Sequence, residues 1–251
     1  MSDRGKLRRI KLIVAYDGSN YCGWQVQPNG TSIQSVLQNA VEDLVGDSVC
    51  LTGASRTDSG VHALGQVAVF DTVKPWPAEQ FMPALNQRLP KDIVVQHSSE
   101  VPKDFHPRYC DTLKTYEYRI LNRRAALPNE RFNSYWVPQR LDVAAMAEAA
   151  QLLTGTHDFH NFCSLKTDVE DTVRTITRVC ITNEEDMIKL RITGDGFLYN
   201  MVRIIVGGLI KIGFHKKDME DLKRSLTVKD RYVVGPTAPA HGLTLVEIQY
   251  L

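Results

Sequence analysis

The stretch Ala54-Ser55-Arg56-Thr57-Asp58-Ser59-Gly60-Val61-His62-Ala63 places one carboxylate between turn-forming residues and an apolar strand, Gln66 to Phe70. Ser59 and Gly60 favour a tight turn, because Gly60 adopts a positive φ without steric cost. A turn held by a rigid strand is a common position for a catalytic side chain. The same carboxylate, Asp58, can equally do no more than cap its own turn. These residues leave both interpretations open.

On either side of this stretch, alternating apolar and β-branched residues predict strands, and amphipathic patterns between them predict helices. The predicted strands are Arg9 to Ala15, Gln66 to Phe70, Ile93 to His97, Thr115 to Leu121, Ile176 to Ile181, Met187 to Ile192 and Leu243 to Tyr250. The predicted helices are one headed by Ser32 with Val36, Ala40 and Leu44 on one face, then Pro75 to Leu85, Val143 to Leu153 capped by Asp142, Leu198 to Ile212, and Lys217 to Leu226.

The order strand, helix, strand, strand, helix, strand occurs once before about residue 105 and again after it. This order predicts an α+β chain made of two ferredoxin-like βαββαβ halves. We place the N-terminal half, which carries the Asp58 loop, at residues 1–105 and the C-terminal half at residues 106–251.

The composition is ordinary for a globular protein, with 251 residues, 43% hydrophobic and 24% charged. No stretch approaches the roughly 20 apolar residues of a membrane span, so we expect a cytoplasmic protein without a membrane partner. The five cysteines are scattered without a C-x-x-C pair, which predicts reduced thiols. The net charge is +1, so any positively charged groove has to arise by folding rather than by composition.

Three residues besides Asp58 have open alternatives. Arg56 suits a phosphate contact or eversion of a nucleotide, but it can also stabilise its own turn. Tyr116 lies on the same strand face as Lys114 and Tyr118, so its ring can stack on a base or pack in the core. Arg203 lies among apolar residues of a predicted helix, where its guanidinium needs a carboxylate partner, either Asp58 or another acid.

Two patterns point weakly to other chemistry. His157, Asp158 and His160 cluster within four residues, but no distant set of ligands matches them, so we predict no metal site. His62 beside Asp58, with Ser55 or Ser59, suggests a hydrolase triad. They lie too close along one loop for the geometry of nucleophile, base and orienting acid, so we reject that interpretation.

The run Arg56 to Ala63 resembles the R-T-D-x-G-V-H-A signature of the TruA family of tRNA pseudouridine synthases. Other blocks resemble the same family, occur in its order and span nearly the whole chain. They are Tyr16-Asp17-Gly18 through Gly23-Trp24-Gln25, Lys114 to Tyr118, Gly155 to Phe159, Gly196 to Arg203, and Ala238 to Leu243. One position departs from the pattern, since Ser55 stands where the family commonly has glycine.

The resemblance implies an isomerase that converts uridine to pseudouridine at positions 38, 39 and/or 40 in the anticodon stem-loop of tRNA, without a cofactor. Asp58 then corresponds to the essential catalytic aspartate. Tyr116 corresponds to the tyrosine that stacks on the base, and Arg203 to the arginine beside the catalytic acid. Leu243 matches a leucine that packs against the target base, although a plain core leucine fits the sequence equally well.

The resemblance also implies a pseudouridine synthase fold, in which both halves join one mixed, mainly antiparallel sheet with helices packed on it and the active cleft between them. It further implies an obligate homodimer.

Two rival functions remain open at this point. One is a catalytically silent RNA-binding module, and the other is an acid/base enzyme that acts on a small molecule. Whether Asp58 attacks C1′, adds at C6 or removes a C2′ proton is also open.

Overall fold

The computed structural model describes residues 6–28, 30–164, 171–228 and 234–251. The chain divides into two compact units. The first runs up to Asp111 and includes Leu245–Leu251, and the second is Thr112–Thr244. The predicted halves, 1–105 and 106–251, are defined by element order rather than by contacts, and they stay a prediction.

The first unit is built on the strand β1, which lies between two antiparallel neighbours, β3 and β4. Every second residue of β1 is buried from Ile10 to Tyr16, which is the alternation that predicted the strand. A two-residue strand, β2, pairs with β3 and was not predicted, because two residues carry no periodic pattern. The bounds are Arg8–Tyr16 (β1), Thr52–Gly53 (β2), His62–Thr72 (β3) and Ile93–Val101 (β4).

Two α-helices belong to the first unit, α1 at Ile33–Val45 and α2 at Phe81–Asn86. Ser32 caps α1 as predicted, because its Oγ accepts a hydrogen bond from the Ser35 backbone N–H at 3.1 Å. The predicted face of α1 was offset by about one residue. Its buried positions are Ile33, Leu37, Ala40, Val41 and Val45, while Val36 and Leu44 lie at the margin.

The predicted second helix starts later than expected. A single 3-10 turn covers Ala78–Gln80, and α2 follows it. Pro77 disfavours helical backbone at the residue before it, so a helix cannot start at Pro75.

The strands of the second unit are mainly antiparallel and lie in the order β5, β9, β8, β7. A short strand, β6, pairs with β5 in parallel. The α+β class with a mainly antiparallel sheet is therefore confirmed. The bounds are Thr112–Asn122 (β5), Tyr135–Val137 (β6), Gly155–Asp158 (β7), Val173–Glu184 (β8) and Met187–Gly194 (β9). The last strand, β10, has the predicted bounds Leu243–Tyr250, and most of it belongs to the first unit.

Three helices follow the predicted pattern in the second unit: Val143–Ala150 (α3), Met201–Gly213 (α4) and Met219–Thr227 (α5). Asp142 caps α3 as predicted, since its Oδ1 accepts a hydrogen bond from the Ala145 N–H at 3.0 Å. The helix α4 begins later than the predicted Leu198, because Asn200 has φ 62°, a left-handed conformation that cannot continue a helix. No helix within the described ranges is long and apolar enough to span a bilayer.

Gly207 and Gly208 let a backbone segment, residues 234–238, pack directly against α4. A Cβ atom built on Gly207 would lie 1.7 Å from the Pro236 carbonyl oxygen, and one on Gly208 would lie 3.0 Å from the Val234 oxygen. This close packing fixes the path of residues 234–238 along α4.

The Gly207→Ala substitution tests this packing. Alanine favours a helix over glycine by about 1 kcal/mol, but the clash with Pro236 forces the segment away, so we expect a net loss of about 2 kcal/mol of unfolding free energy. Thermal unfolding followed by circular dichroism should show a fall in Tm of roughly 5 °C.

Gly208→Ala is the matched control, because its contact is much milder, and its Tm should change by less than half as much. Equal Tm values for the two variants would contradict the proposed packing.

Candidate active site

The Asp58 loop, residues 54–61, connects β2 to β3. Its start is fixed by pairing of Thr52 with Val69 and of Gly53 with Ala68. Asp58 lies within the loop and is half-buried, whereas Arg56 is exposed. The strands thus hold both ends of the segment that carries the candidate carboxylate.

Gln66 binds the loop from the β3 side with a side chain that is fully buried. Its Oε1 accepts hydrogen bonds from the N–H groups of Ser55 at 3.1 Å and Val67 at 3.2 Å, and its Nε2 donates to the Ser55 carbonyl oxygen at 2.7 Å. The amide therefore pairs with both polar backbone groups of Ser55, one position before Arg56. Ser55, the departure from the family pattern, is 8% exposed and fits this arrangement.

The segment Tyr16–Trp24 holds the other side of the loop. The Trp24 N–H donates to the Thr57 carbonyl oxygen at 3.1 Å, and the hydroxyl groups of Tyr16 and Thr57 lie 2.7 Å apart. Gly23 has φ 103°, and a Cβ atom there would lie 2.6 Å from the Thr57 oxygen. The contact therefore requires glycine, which explains the Gly23-Trp24 block physically.

The turn at Asp58 closes on itself. The Val61 N–H donates to the Asp58 carbonyl oxygen at 3.1 Å, and Gly60 has φ 78°, so the predicted tight turn with a positive φ at Gly60 is confirmed. The Asp58 backbone is therefore held by the turn itself as well as by both flanks.

His62 and Ser59 have structural contacts in this turn. His62 Nδ1 accepts a hydrogen bond from the Gly18 N–H at 3.1 Å, and Ser59 Oγ donates to the Tyr21 carbonyl oxygen at 3.1 Å. The two side chains therefore support the scaffold around Asp58.

Tyr116 lies in β5 opposite Ile192 of β9. Its side chain is buried, and its ring and that of Phe197 lie edge to face, with centroids 5.1 Å apart and planes at 80°. This contact fixes the relative orientation of the two rings. The structure is thus compatible with stacking on a base and equally with a core role.

Tyr118, two residues further on the same strand face, anchors the chain before β10. Its hydroxyl donates to the Pro239 carbonyl oxygen at 2.8 Å. A Cβ atom on Gly242 would lie 2.7 Å from the Tyr118 ring. Burial raises the pKa of Tyr118, and the nearby charge of Arg203 opposes that rise. The hydroxyl therefore stays protonated at any working pH and remains a donor.

Hydrogen bonds fix the side chain of Arg203, which projects from α4. Its Nε donates to the Ala238 carbonyl oxygen at 2.8 Å, and its Nη1 donates to Asn200 Oδ1 at 2.6 Å. The Ala238 N–H in turn donates to the Arg203 carbonyl oxygen at 3.0 Å. Pairing of Arg203 with Asp58 stays a prediction. Leu243, the first residue of β10, is buried and follows this segment by a few residues.

His157 and Asp158 are occupied by local bonds. His157 Nε2 lies 3.0 Å from the Thr154 carbonyl oxygen, and Asp158 Oδ1 accepts the His160 N–H at 3.0 Å. Across the described ranges, no group of three histidine, cysteine or acidic side chains is arranged to hold a metal ion.

The sequence analysis missed two structural supports of these candidates. Gln66 is a polar residue within an apolar strand, and that exception to the pattern was the signal. The role of the Ala238 carbonyl could not be predicted from the sequence, because every residue has a backbone carbonyl group.

Comparison with known proteins gives one consistent family. A family model described as tRNA pseudouridine synthase matches residues 12–110 and 149–251. Asp58, Arg56, Arg203 and Leu243 lie within the matched ranges, and Tyr116 lies between them.

Curated relatives match over nearly their full length. The tRNA pseudouridine synthase A of Acetivibrio thermocellus is 46% identical over 97% of this chain and 100% of its own. The tRNA pseudouridine synthase A 2 of Clostridium tetani is 46% identical over 97% and 99%, and the tRNA pseudouridine synthase A of Halalkalibacterium halodurans is 46% identical over 94% and 90%. The solved structure of a Cbf5-Nop10-Gar1 complex aligns at 11% identity and a TM-score of 0.31, too low to show a shared fold.

The role of Gln66 is testable without any activity. In Gln66→Leu, the polar backbone groups of Ser55 lose buried partners, so we expect a loss of about 2–4 kcal/mol of unfolding free energy. Hydrogen exchange read by mass spectrometry should be faster in peptides that cover residues 54–61. Gln87→Leu, at an exposed glutamine, should change stability by less than about 0.5 kcal/mol. Unchanged exchange in the loop of Gln66→Leu would show that the amide does not hold it.

Proposed function

The chain belongs to the tRNA pseudouridine synthase family and is therefore an isomerase that turns uridine in tRNA into pseudouridine; we propose that Asp58 carries out its chemistry. The observation that supports this role is the two-sided fixation of the Asp58 loop by Gln66 and by the Tyr16–Trp24 segment. A carboxylate with a fixed backbone reaches a reacting atom without losing further conformational entropy.

The reaction sets the requirements for the site. The glycosidic bond between C1′ and N1 breaks, the uracil turns, and C1′ joins C5, while the C5 proton leaves and N1 regains a proton. The reaction involves no net oxidation and consumes no second substrate. It needs an anionic group near C1′, C2′ and C6, and a surface that holds the free base while it turns. We propose Asp58 as the anionic group and no cofactor.

Three further residues are proposed to act on the same uridine. Tyr116, buried beside Phe197, is proposed to stack on the base. Arg203 is proposed to keep Asp58 ionised, since a positive charge nearby lowers the pKa of a carboxyl group. Leu243 is proposed to pack against the base, and its position depends on the same segment that binds Arg203 through Ala238.

Arg56 is proposed to contact the phosphate backbone or to help evert the target nucleotide. It is exposed, and it lies two residues before Asp58. Among the residues whose placement is known, no acceptor or carboxylate is bound to it. An uncompensated guanidinium at this position suits an anionic substrate.

The substrate is proposed to be the anticodon stem-loop of tRNA, with uridines at positions 38, 39 and/or 40 as targets. All three curated relatives carry names of tRNA pseudouridine synthases. We further propose that the protein works in the cytoplasm as a homodimer. Light scattering of the purified protein should then give twice the mass of one chain, and a monomer that is fully active would contradict the dimer.

Substitution of Asp58 tests the chemical assignment. With unmodified tRNA tritiated at C5 of uridine, Asp58→Ala should release tritium at least about 10²–10⁴-fold more slowly than the wild type, the range lost with a positioned acid or base. Binding of tRNA should persist, because phosphate contacts supply most of the affinity. Asp47→Asn, at an exposed carboxylate outside the loop, is the matched control and should behave as the wild type.

The other outcomes identify the rivals. If the wild type releases no tritium from any tRNA, the chain is a silent RNA-binding module. If it releases tritium from free nucleotides as fast as from tRNA, it is a small-molecule enzyme. If Asp58→Ala loses binding in proportion to activity, the aspartate is architectural.

Salt dependence tests the RNA partner. The net charge of +1 predicts weak nonspecific attraction, whereas a folded phosphate groove predicts a steep dependence. For about four phosphate contacts, the Kd for tRNA should rise roughly a hundredfold between 50 and 200 mM salt. Fluorescence anisotropy measures this slope, and a flat profile would contradict a phosphate groove.

A further inference from the structure

We propose that Arg108 and Arg56 bind one backbone phosphate of the tRNA together, at the base of the Asp58 loop. This inference rests on the proposed function, and it adds to it a residue, Arg108, that no family block marked. The ligand class is a phosphodiester of RNA.

Arg108 is attached to the strand that carries the loop. Its Nε donates to the carbonyl oxygen of Gly53 at 2.9 Å, and Gly53 is the last residue of β2. Arg56 follows Gly53 by three residues. One N–H of the Arg108 fork is thus used to fix the side chain, and the two terminal nitrogens remain for a ligand.

The two guanidinium groups lie close enough to repel each other. Partial burial, followed by the positive charge of Arg56, lowers the pKa of Arg108. Two neighbouring cations, of which Arg108 is partly removed from water, are unfavourable without an anion. A phosphate between them reverses the sign of the interaction, and planar guanidinium groups match its oxygens in geometry.

The other arginines described in the first unit show that this pair is exceptional. Arg8 pairs with Glu100, Arg9 with Asp71 and Arg88 with Asp43, each at 2.9 Å or closer. Within the described ranges, neither Arg56 nor Arg108 lies within 4.0 Å of a carboxylate oxygen. The two arginines without an acidic partner are therefore the two at the candidate catalytic loop.

The neighbouring ring favours a nucleic acid over a free anion. Tyr109 is 85% exposed and stacks on His106, with ring centroids 4.1 Å apart and planes at 21°. An exposed aromatic face next to a cationic pair is typical of surfaces that contact both bases and phosphates of unpaired RNA.

Arg108→Gln tests the proposal in the Asp58→Ala background, where binding is measured without turnover. We expect the Kd for tRNA to rise about tenfold, as for loss of a charge-assisted bond. The slope of log Kd against log salt concentration should decrease by the amount that corresponds to one phosphate contact. Lys103→Gln removes one positive charge from an exposed side chain five residues away and should leave the slope nearly unchanged.

The double variant Arg56→Gln/Arg108→Gln distinguishes one shared phosphate from two. If one phosphate needs both guanidinium groups, each single variant already loses that contact, so the double variant has the same salt slope as either single variant. If the two arginines bind separate phosphates, the double variant loses two contacts and each single variant loses one. Arg108→Lys should recover part of the slope, because it retains the charge but not the fork.

Three results would overturn the proposal. The first is a salt slope for Arg108→Gln equal to that of Lys103→Gln, and the second is a salt slope for the double variant that has lost two phosphate contacts. The third concerns Arg108→Gln in an otherwise wild-type chain, if its saturating single-turnover rate falls by a larger factor than its affinity for tRNA does. The last result would show that Arg108 only supports the loop. Tm values of all variants identify any that are misfolded, and Arg108→Met, which also removes the charge, then replaces Arg108→Gln in the comparison.

Failure of this proposal is distinguishable from failure of the proposed function. If the wild type releases tritium from tRNA normally while Arg108→Gln keeps the full salt slope, only the phosphate site is wrong. If the wild type releases no tritium, the proposed function is wrong, whatever the slopes are.

Discussion

The buried amide of Gln66 is the constraint on which the geometry of the candidate site depends. The Asp58 loop leaves the sheet at Gly53 and rejoins it at His62. The Gln66 side chain adds hydrogen bonds of the kind that join two strands, since it pairs with the backbone N–H and carbonyl of Ser55 while the Gln66 backbone stays in β3. A polar side chain inside a sheet is costly unless every group is bonded, so the residue and the loop geometry specify each other.

In the second unit, the comparable constraint is a pair of glycines in α4, which have no side chains. Gly207 and Gly208 allow residues 234–238 to lie against α4, which brings the Ala238 carbonyl to Arg203. The next carbonyl, from Pro239, receives the Tyr118 hydroxyl. The candidate Arg203 and the buried Tyr118 are thus both bound to one short segment, and a pair of glycines lets that segment lie against α4.

The sequence predicted most of the fold because long periodic segments carry their own signal. The strand β10 matched its predicted bounds, and Ser32 and Asp142 cap the predicted helices. It missed β2, β6 and β7, which have two to four residues and no period. The turn at Gly60 was predictable from its chemistry. The anchoring of Arg203 on a carbonyl was not, since only the folded chain brings Ala238 to α4. Motif resemblance selected the catalytic candidates, whereas the residues alone left core and catalytic roles equally open.

The most direct test of the account is a crystal structure of the Asp58→Asn variant bound to an anticodon stem-loop RNA. The account predicts one uridine out of the base stack, with its C1′ within about 4 Å of the side chain of residue 58, as an attack geometry requires. It also predicts a phosphate of that strand between Arg56 and Arg108. A stem-loop that binds with every uridine stacked, or with its flipped base far from residue 58, would contradict the catalytic assignment.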